Sequence, residues 1–67
     1  VVECPDYVYI MEFKLDRSAK EALAQIHTKG YYKPYLSDAR PVILVGINFS
    51  SATGTIEDFE ISRCEKA

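Results

Sequence analysis

Two charged residues stand near the end of an otherwise apolar stretch. Tyr7 to Asp16 reads YVYIMEFKLD, and strand side chains alternate between faces. The odd positions Tyr7, Tyr9, Met11, Phe13 and Leu15 are all apolar or aromatic. The even positions run Val8, Ile10, then Glu12, Lys14 and Asp16. Glu12 and Lys14 therefore share a face, about 6 to 7 Å apart at roughly 3.3 Å per residue. Such charges are costly in an apolar setting unless something uses them. A carboxylate is a hard oxygen ligand of the kind Mg²⁺ takes alongside waters and substrate phosphates. Phe13 turns its side chain away, but its backbone carbonyl could reach the same metal. A lysine just beyond the metal can orient or activate an attacking water and offset charge on a phosphate. Lys14 would act there as a compact point charge. The pair would lie at the carboxyl end of its strand, where ligands collect in α/β sheets. E-x-K alone also fits a solvated face or a local ion pair. Its setting, between an apolar strand and a capped helix, is what points to chemistry.

The elements around the pair follow from local signals. Residues 1–4 read as the end of a strand, and Pro5-Asp6 as a turn, so residues 7–15 form the second strand of a hairpin. A strand apolar on both faces at its start is expected inside a sheet covered on both sides. Ser18 with Glu21 makes the capping box S-x-x-E, opening a helix over 19–29. Its stripe is Ala19, Ala22, Leu23 and Ile26, and by this spacing Gln25 falls on the solvent side. Lys29 suits the last turn and Gly30 the C′ position. YYKPYLSDAR is an aromatic connector expected to lie against the domain, with Pro34 opening a short helical turn. PVILVGINFS predicts a central parallel strand over 41–49, completing a βαβ unit with a right-handed crossover. Gly46 in mid-strand signals close packing or a bulge. TIEDFEIS predicts an edge strand over 55–62 returning onto it, its acidic residues discouraging edge pairing. The fold class is α/β (α+β): a hairpin, a capped helix, a parallel central strand and a return edge strand.

Composition narrows the classes. With 67 residues the chain is a single small domain that buries only about 60% of its unfolded surface. A net charge of −2 gives no support to a free-standing basic nucleic-acid binder. Cys4 and Cys64 do not make a disulfide framework and read as free thiols in a reducing compartment, a bridge between the two ends being the other reading. No His/Cys spacing suggests zinc. Val42 to Ile47 is the longest apolar run, far too short for a membrane span. His27 lacks an acidic or Cys partner nearby and reads as a surface or boundary residue. The tyrosines could stack on bases, though packing is the simpler use. The chain begins mid-pattern at VVEC, which suggests a piece of a longer protein.

EFKLDRSAKEALAQIHTKGYYKPY followed by PVILVGINFSSATGTIEDFEI resembles the PD-(D/E)XK nuclease-superfamily domains found at the C-terminus of bacterial AAA-ATPase-like proteins. E-F-K-L-D, A-L-x-Q-I, K-G-Y and V-G-x-N-F-S carry the likeness across nearly the whole chain. The resemblance implies a truncated restriction-endonuclease-like core within a single partial domain, 1–67. It implies Mg²⁺ (or Mn²⁺) as cofactor and DNA or RNA as substrate. It also implies an AAA-ATPase-like domain upstream and a bacterial cytoplasmic setting, with no membrane. Glu12 would be the metal ligand, Lys14 the catalytic lysine, and Gln25 the helix glutamine that lies near the site in several branches.

One departure matters. In such relatives the preceding strand reads like G-R-x-D-L-V-V-E, and Val1-Val2-Glu3 aligns with its end. The essential aspartate would fall about two residues before Val1, and Glu3 is shifted toward the turn. Gly54 and Phe59 stand where an arginine and a tryptophan are more usual. A Mg²⁺ site with one protein carboxylate is weak, so the 67-residue chain is expected to be inactive alone. Its exposed sheet edge is expected to make it a homo-oligomer. The other reading is a non-catalytic scaffold or nucleic-acid-binding module on the ATPase.

Overall fold

A computed structural model describes residues 1–64. One helix lies on one face of a four-stranded sheet of order β1-β2-β3-β4. β1 (Val2–Glu3) and β2 (Val8–Leu15) form the hairpin; α1 (Ala19–Lys29) follows; then β3 (Val42–Ser50) and β4 (Thr55–Arg63). β2 and β3 are parallel, from Val8 opposite Val42 to Leu15 opposite Phe49. β4 returns antiparallel. The mixed sheet with one helix is an α+β arrangement consistent with a truncated restriction-endonuclease-like core. A single 3₁₀ turn, Lys33–Tyr35, carries Pro34 in its first positions. Among the described residues no helix is long and apolar enough to cross a membrane.

The helix forms where its caps sit. Ser18 is extended and its Oγ accepts the Glu21 N–H at 3.0 Å. Gly30 takes the left-handed conformation, φ 67°, that ends helices. Ala19, Ala22 and Ile26 face inward and are fully buried. Ile26 meets Val8 and Ile10 of β2 and Val42 and Leu44 of β3, with Leu23, Tyr32, Tyr35 and Cys64 packed around this cluster, while Ala19 and Ala22 lie over Gly46. The aromatic connector thus rests on the domain through Tyr32 and Tyr35. Cys4 and Cys64 form no disulfide. They end strands on opposite sides of the sheet, about 14 Å apart at roughly 4.8 Å per strand, beyond bridging distance.

The structure departs from the two-sided burial expected of β2. Its even positions Val8 and Ile10 face α1 and are buried, whereas Phe13 and Leu15 of the odd set are exposed. The outer face gathers Met11, Val45 and Ile61 in one register row, and Phe13, Ile47 and Phe59 in the next. The charged pair therefore sits on the covered face, and the uniformly apolar face is open.

Candidate active site

The corner between β2 and α1 sets the site, and three of its backbone donors are held by β3 and β4. The Asp16 N–H donates to the Phe49 carbonyl (2.8 Å). The Arg17 N–H donates to Asn48 Oδ1 (2.9 Å) and the Ala19 N–H to Asp58 Oδ2 (3.0 Å). Asp16 itself has φ 54°, and its carboxylate accepts both the Ser51 hydroxyl and the Ser51 N–H. Asn48 is the one buried polar residue of the described core, and its Nδ2 reaches Glu57 Oε2 at 3.4 Å. The register slips at this point: Asn48 pairs with Asp58 and Phe49 with Ile56. The bulge leaves Glu57 unpaired and re-aims the acidic side chains toward the helix side, as bulges do. The acidic residues of this strand suit edge protection by their pattern alone, but Asp58 also accepts from the first helical N–H. The signal for Asn48 was visible, a polar residue inside VILVGINF. None marked Asp58, because a bulge belongs to the pairing of two strands.

On this frame Glu12, Lys14 and Gln25 come to the same side of the sheet. Lys14 Nζ donates to Gln25 Oε1 at 3.2 Å. All three side chains are half-buried. Gln25 is thus not a solvent-face residue, as its distance from the apolar stripe indicated, but the partner of the lysine. Phe13 turns its ring to the open face, 5.7 Å from that of Phe49. Its backbone has a different outlook. Val8 and Asp16 donate toward β3, and strand backbone groups alternate in direction. The carbonyl of Phe13 therefore faces the outer edge of β2, where β1 no longer runs: β1 pairs only with Tyr9 and Val8.

That edge opens into a pocket of about 490 Å³ lined by Ile10, Met11, Glu12, Tyr31, Pro34, Tyr35 and Val1. Lys29 stands over one of these lining residues, its Nζ 5.8 Å from the centroid of the Tyr31 ring. The Tyr31 hydroxyl, and to a lesser degree the Glu12 carboxylate, raise the Lys29 pKa. Glu3 stays apart from Glu12. It lies opposite Val8, and Arg40 holds it, donating to Glu3 Oε1 (2.9 Å), to Asp38 and to the Cys4 carbonyl (3.0 Å). His27 is exposed, its ring against that of Tyr32 at 5.7 Å. Among the described residues no three His, Cys, Asp or Glu side chains converge as a metal cluster. The oxygen donors at this end of β2 are the Glu12 carboxylate and the edge-facing Phe13 carbonyl. Both are hard ligands that suit a cation such as Mg²⁺, which takes one or two carboxylates and keeps several waters.

Residues 1–59 match a family described as the PD-(D/E)XK nuclease superfamily. No curated protein and no solved structure matches the chain.

Proposed function

The chain belongs to the PD-(D/E)XK nuclease superfamily, and from that premise we propose that it carries the Glu12–Lys14 part of a metal-dependent phosphodiesterase site acting on DNA or RNA. The observation that supports this reading is the Lys14–Gln25 hydrogen bond, 3.2 Å, beside Glu12 on the helix-facing side of β2. Glu12 and the Phe13 carbonyl would hold Mg²⁺ or Mn²⁺. When bound, such a cation supplies Lewis-acid charge for the phosphate and acidifies a coordinated water. Lys14 offsets the negative charge that develops on the phosphate oxygens. Gln25 fixes the ammonium by one of its three donors, leaving two for water and phosphate.

One carboxylate makes a weak Mg²⁺ site, so the chain alone is proposed to be inactive. The hairpin register says where a second would act. Val2 lies opposite Tyr9, so continuing that antiparallel ladder puts a residue two positions before Val1 opposite Glu12, on the same face. The test measures Mg²⁺- and Mn²⁺-dependent cleavage of single-stranded DNA, duplex DNA and RNA. It compares the chain, the chain extended along β1 with aspartate at that position, and the extended chain with Lys14→Ala. Cleavage is expected only from the second, with a loss of about 10²-fold or more in the third. Cleavage by the 67-residue chain itself, abolished by Glu12→Ala, would overturn the inactivity.

The acidic balance, net −2, favours a second reading: a non-catalytic scaffold or nucleic-acid-binding module joined to an AAA-ATPase-like domain. Failure of the extended chain to cleave any substrate or to bind Mn²⁺ would support it. A bacterial cytoplasmic setting and the upstream ATPase partner belong to the proposal in either form. So does homo-oligomerisation through the open edge of β2. A single monomeric boundary in sedimentation velocity at high concentration would count against that last part.

A further inference from the structure

Lys29 does more than end a helix. Gln25 and Lys29 are one turn apart on one side of α1, separated by about 6 Å of helix rise. Lys14 and Glu12 are separated by about 6.6 Å of strand. The parallel pairing of β2 and β3 requires α1 to run back along β2. With Gln25 bonded to Lys14, Lys29 leaves the helix one turn beyond that bond, toward Tyr31 and the pocket that Glu12 lines. Tyr31 fixes the ammonium from beyond the cap: Lys29 Nζ stands over its ring, and Tyr31 and Glu12 line the same pocket. The charge effect of Glu12 on Lys29 agrees with this placement. A second ammonium carried one helical turn past the first one's partner suits a ligand whose negative charges repeat along a line.

We propose that Lys29, positioned by Tyr31, is a binding residue for a backbone phosphate of a nucleic-acid strand, next to the one that faces Lys14. The inference rests on the site reading above and extends it from one phosphate to two. It gives the acidic chain a local cationic track, Lys14 and Lys29, along which an anionic strand would lie past Glu12. A role confined to the helix terminus, where basic residues are favourable, would leave nucleic-acid binding unchanged.

The experiment is fluorescence anisotropy of a labelled single-stranded oligonucleotide with the chain in Ca²⁺, titrated over a range of salt concentrations. Lys29→Met is expected to weaken binding severalfold and to reduce the salt slope by about 0.7, the value for one lost contact to a single strand. Lys29→Arg restores both, and thermal unfolding followed by circular dichroism shows each variant folded. Equal affinity and slope in wild type and Lys29→Met, with Lys14→Met lowering both, overturns the role of Lys29 and leaves the site reading intact. Absence of oligonucleotide binding by the wild type, together with no Glu12-dependent Mn²⁺ signal in electron paramagnetic resonance, overturns the site reading and this inference together.

Discussion

Asp16 shows how a single residue holds the site's frame. Its left-handed backbone, φ 54°, is one that Asp and Asn adopt more readily than most residues. The Ser51 hydroxyl, then the Ser51 N–H, donate to its carboxylate and hold its pKa below the ordinary value of 3.8. A lowered folded-state pKa means that the unfolded chain binds the proton first as pH falls. The contribution is therefore full above the unfolded value and is lost as pH falls through the folded one. Asp16→Asn keeps the backbone preference and removes the titration. Urea midpoints at about pH 6 and about pH 3 should then show wild type ahead at the higher pH, with the gap narrowing at the lower. An unchanged gap would remove Asp16 from the acid response. Legibility at this scale was uneven. Glu12 and Lys14 stood out because a period of two exposed them within an apolar strand. Gln25 was indicated by family resemblance alone, since its spacing on the helix pointed to solvent. Asp16, Asp58 and Lys29 carried no signal of their roles, which depend on what the fold brings opposite them.

Gly46 is a point of close approach between the helix and the sheet. It pairs with Glu12 on one side and Glu60 on the other, and the helix backbone lies directly on it. A Cβ there would overlap the Ala19 carbonyl oxygen and come within 2.9 Å of the Leu23 nitrogen and 3.1 Å of the Ala22 Cβ. Two of these are backbone atoms, which cannot turn aside as a side chain would. Gly46→Ala should cost about 1–3 kcal/mol and lift α1 from β3, lengthening the Lys14–Gln25 bond. Gly54→Ala is the control: its φ is +68°, but nothing lies within 4 Å, so only backbone strain, about 1–2 kcal/mol, is added. Urea unfolding gives both costs. The amide resonances of the Gln25 side chain should move in Gly46→Ala and stay in Gly54→Ala; movement in neither would mean that the helix contact does not set the site. The sequence carried much of this. A glycine within VILVGINF announced a close approach, and Ser18, Glu21 and Gly30 announced both helix ends. It did not name the helix as what approaches, since a one-dimensional pattern records the demand for space and not the neighbour. Strand ends slipped by a residue for a similar reason: β1 is only Val2–Glu3 because pairing, not composition, ends a strand.

At the scale of the whole molecule the sheet has one dry face and one wet one. The described chain measures 40 × 24 × 14 Å with a radius of gyration of 12.5 Å, larger than the roughly 11 Å of a compact chain this long. It is a slab of two layers, a helix on a sheet, with the other face of the sheet left to water. Hydrophobic patterning could not reveal this, because an apolar residue records only that burial is favourable and not whether a partner layer is present. The consequence is an asymmetry between faces of the same strands. Leu44 is 0% exposed under the helix, while Phe59 and Ile61 are each 63% exposed on the other side. Leu44→Ala should cost about 2–5 kcal/mol, from lost burial and the cavity left behind. That loss is severe for a domain of this size, whose single small core leaves little margin. Phe59→Thr and Ile61→Thr keep β-compatible side chains and remove surface that water already touches, so each should change stability by no more than about 0.5 kcal/mol. The same two substitutions should lower the native-state fluorescence of the apolar dye ANS, whereas Leu44→Ala should not lower it. A Phe59→Thr chain that unfolds as readily as Leu44→Ala would mean that the second face is buried in solution, and that the two-layer slab is not how the chain stands in water.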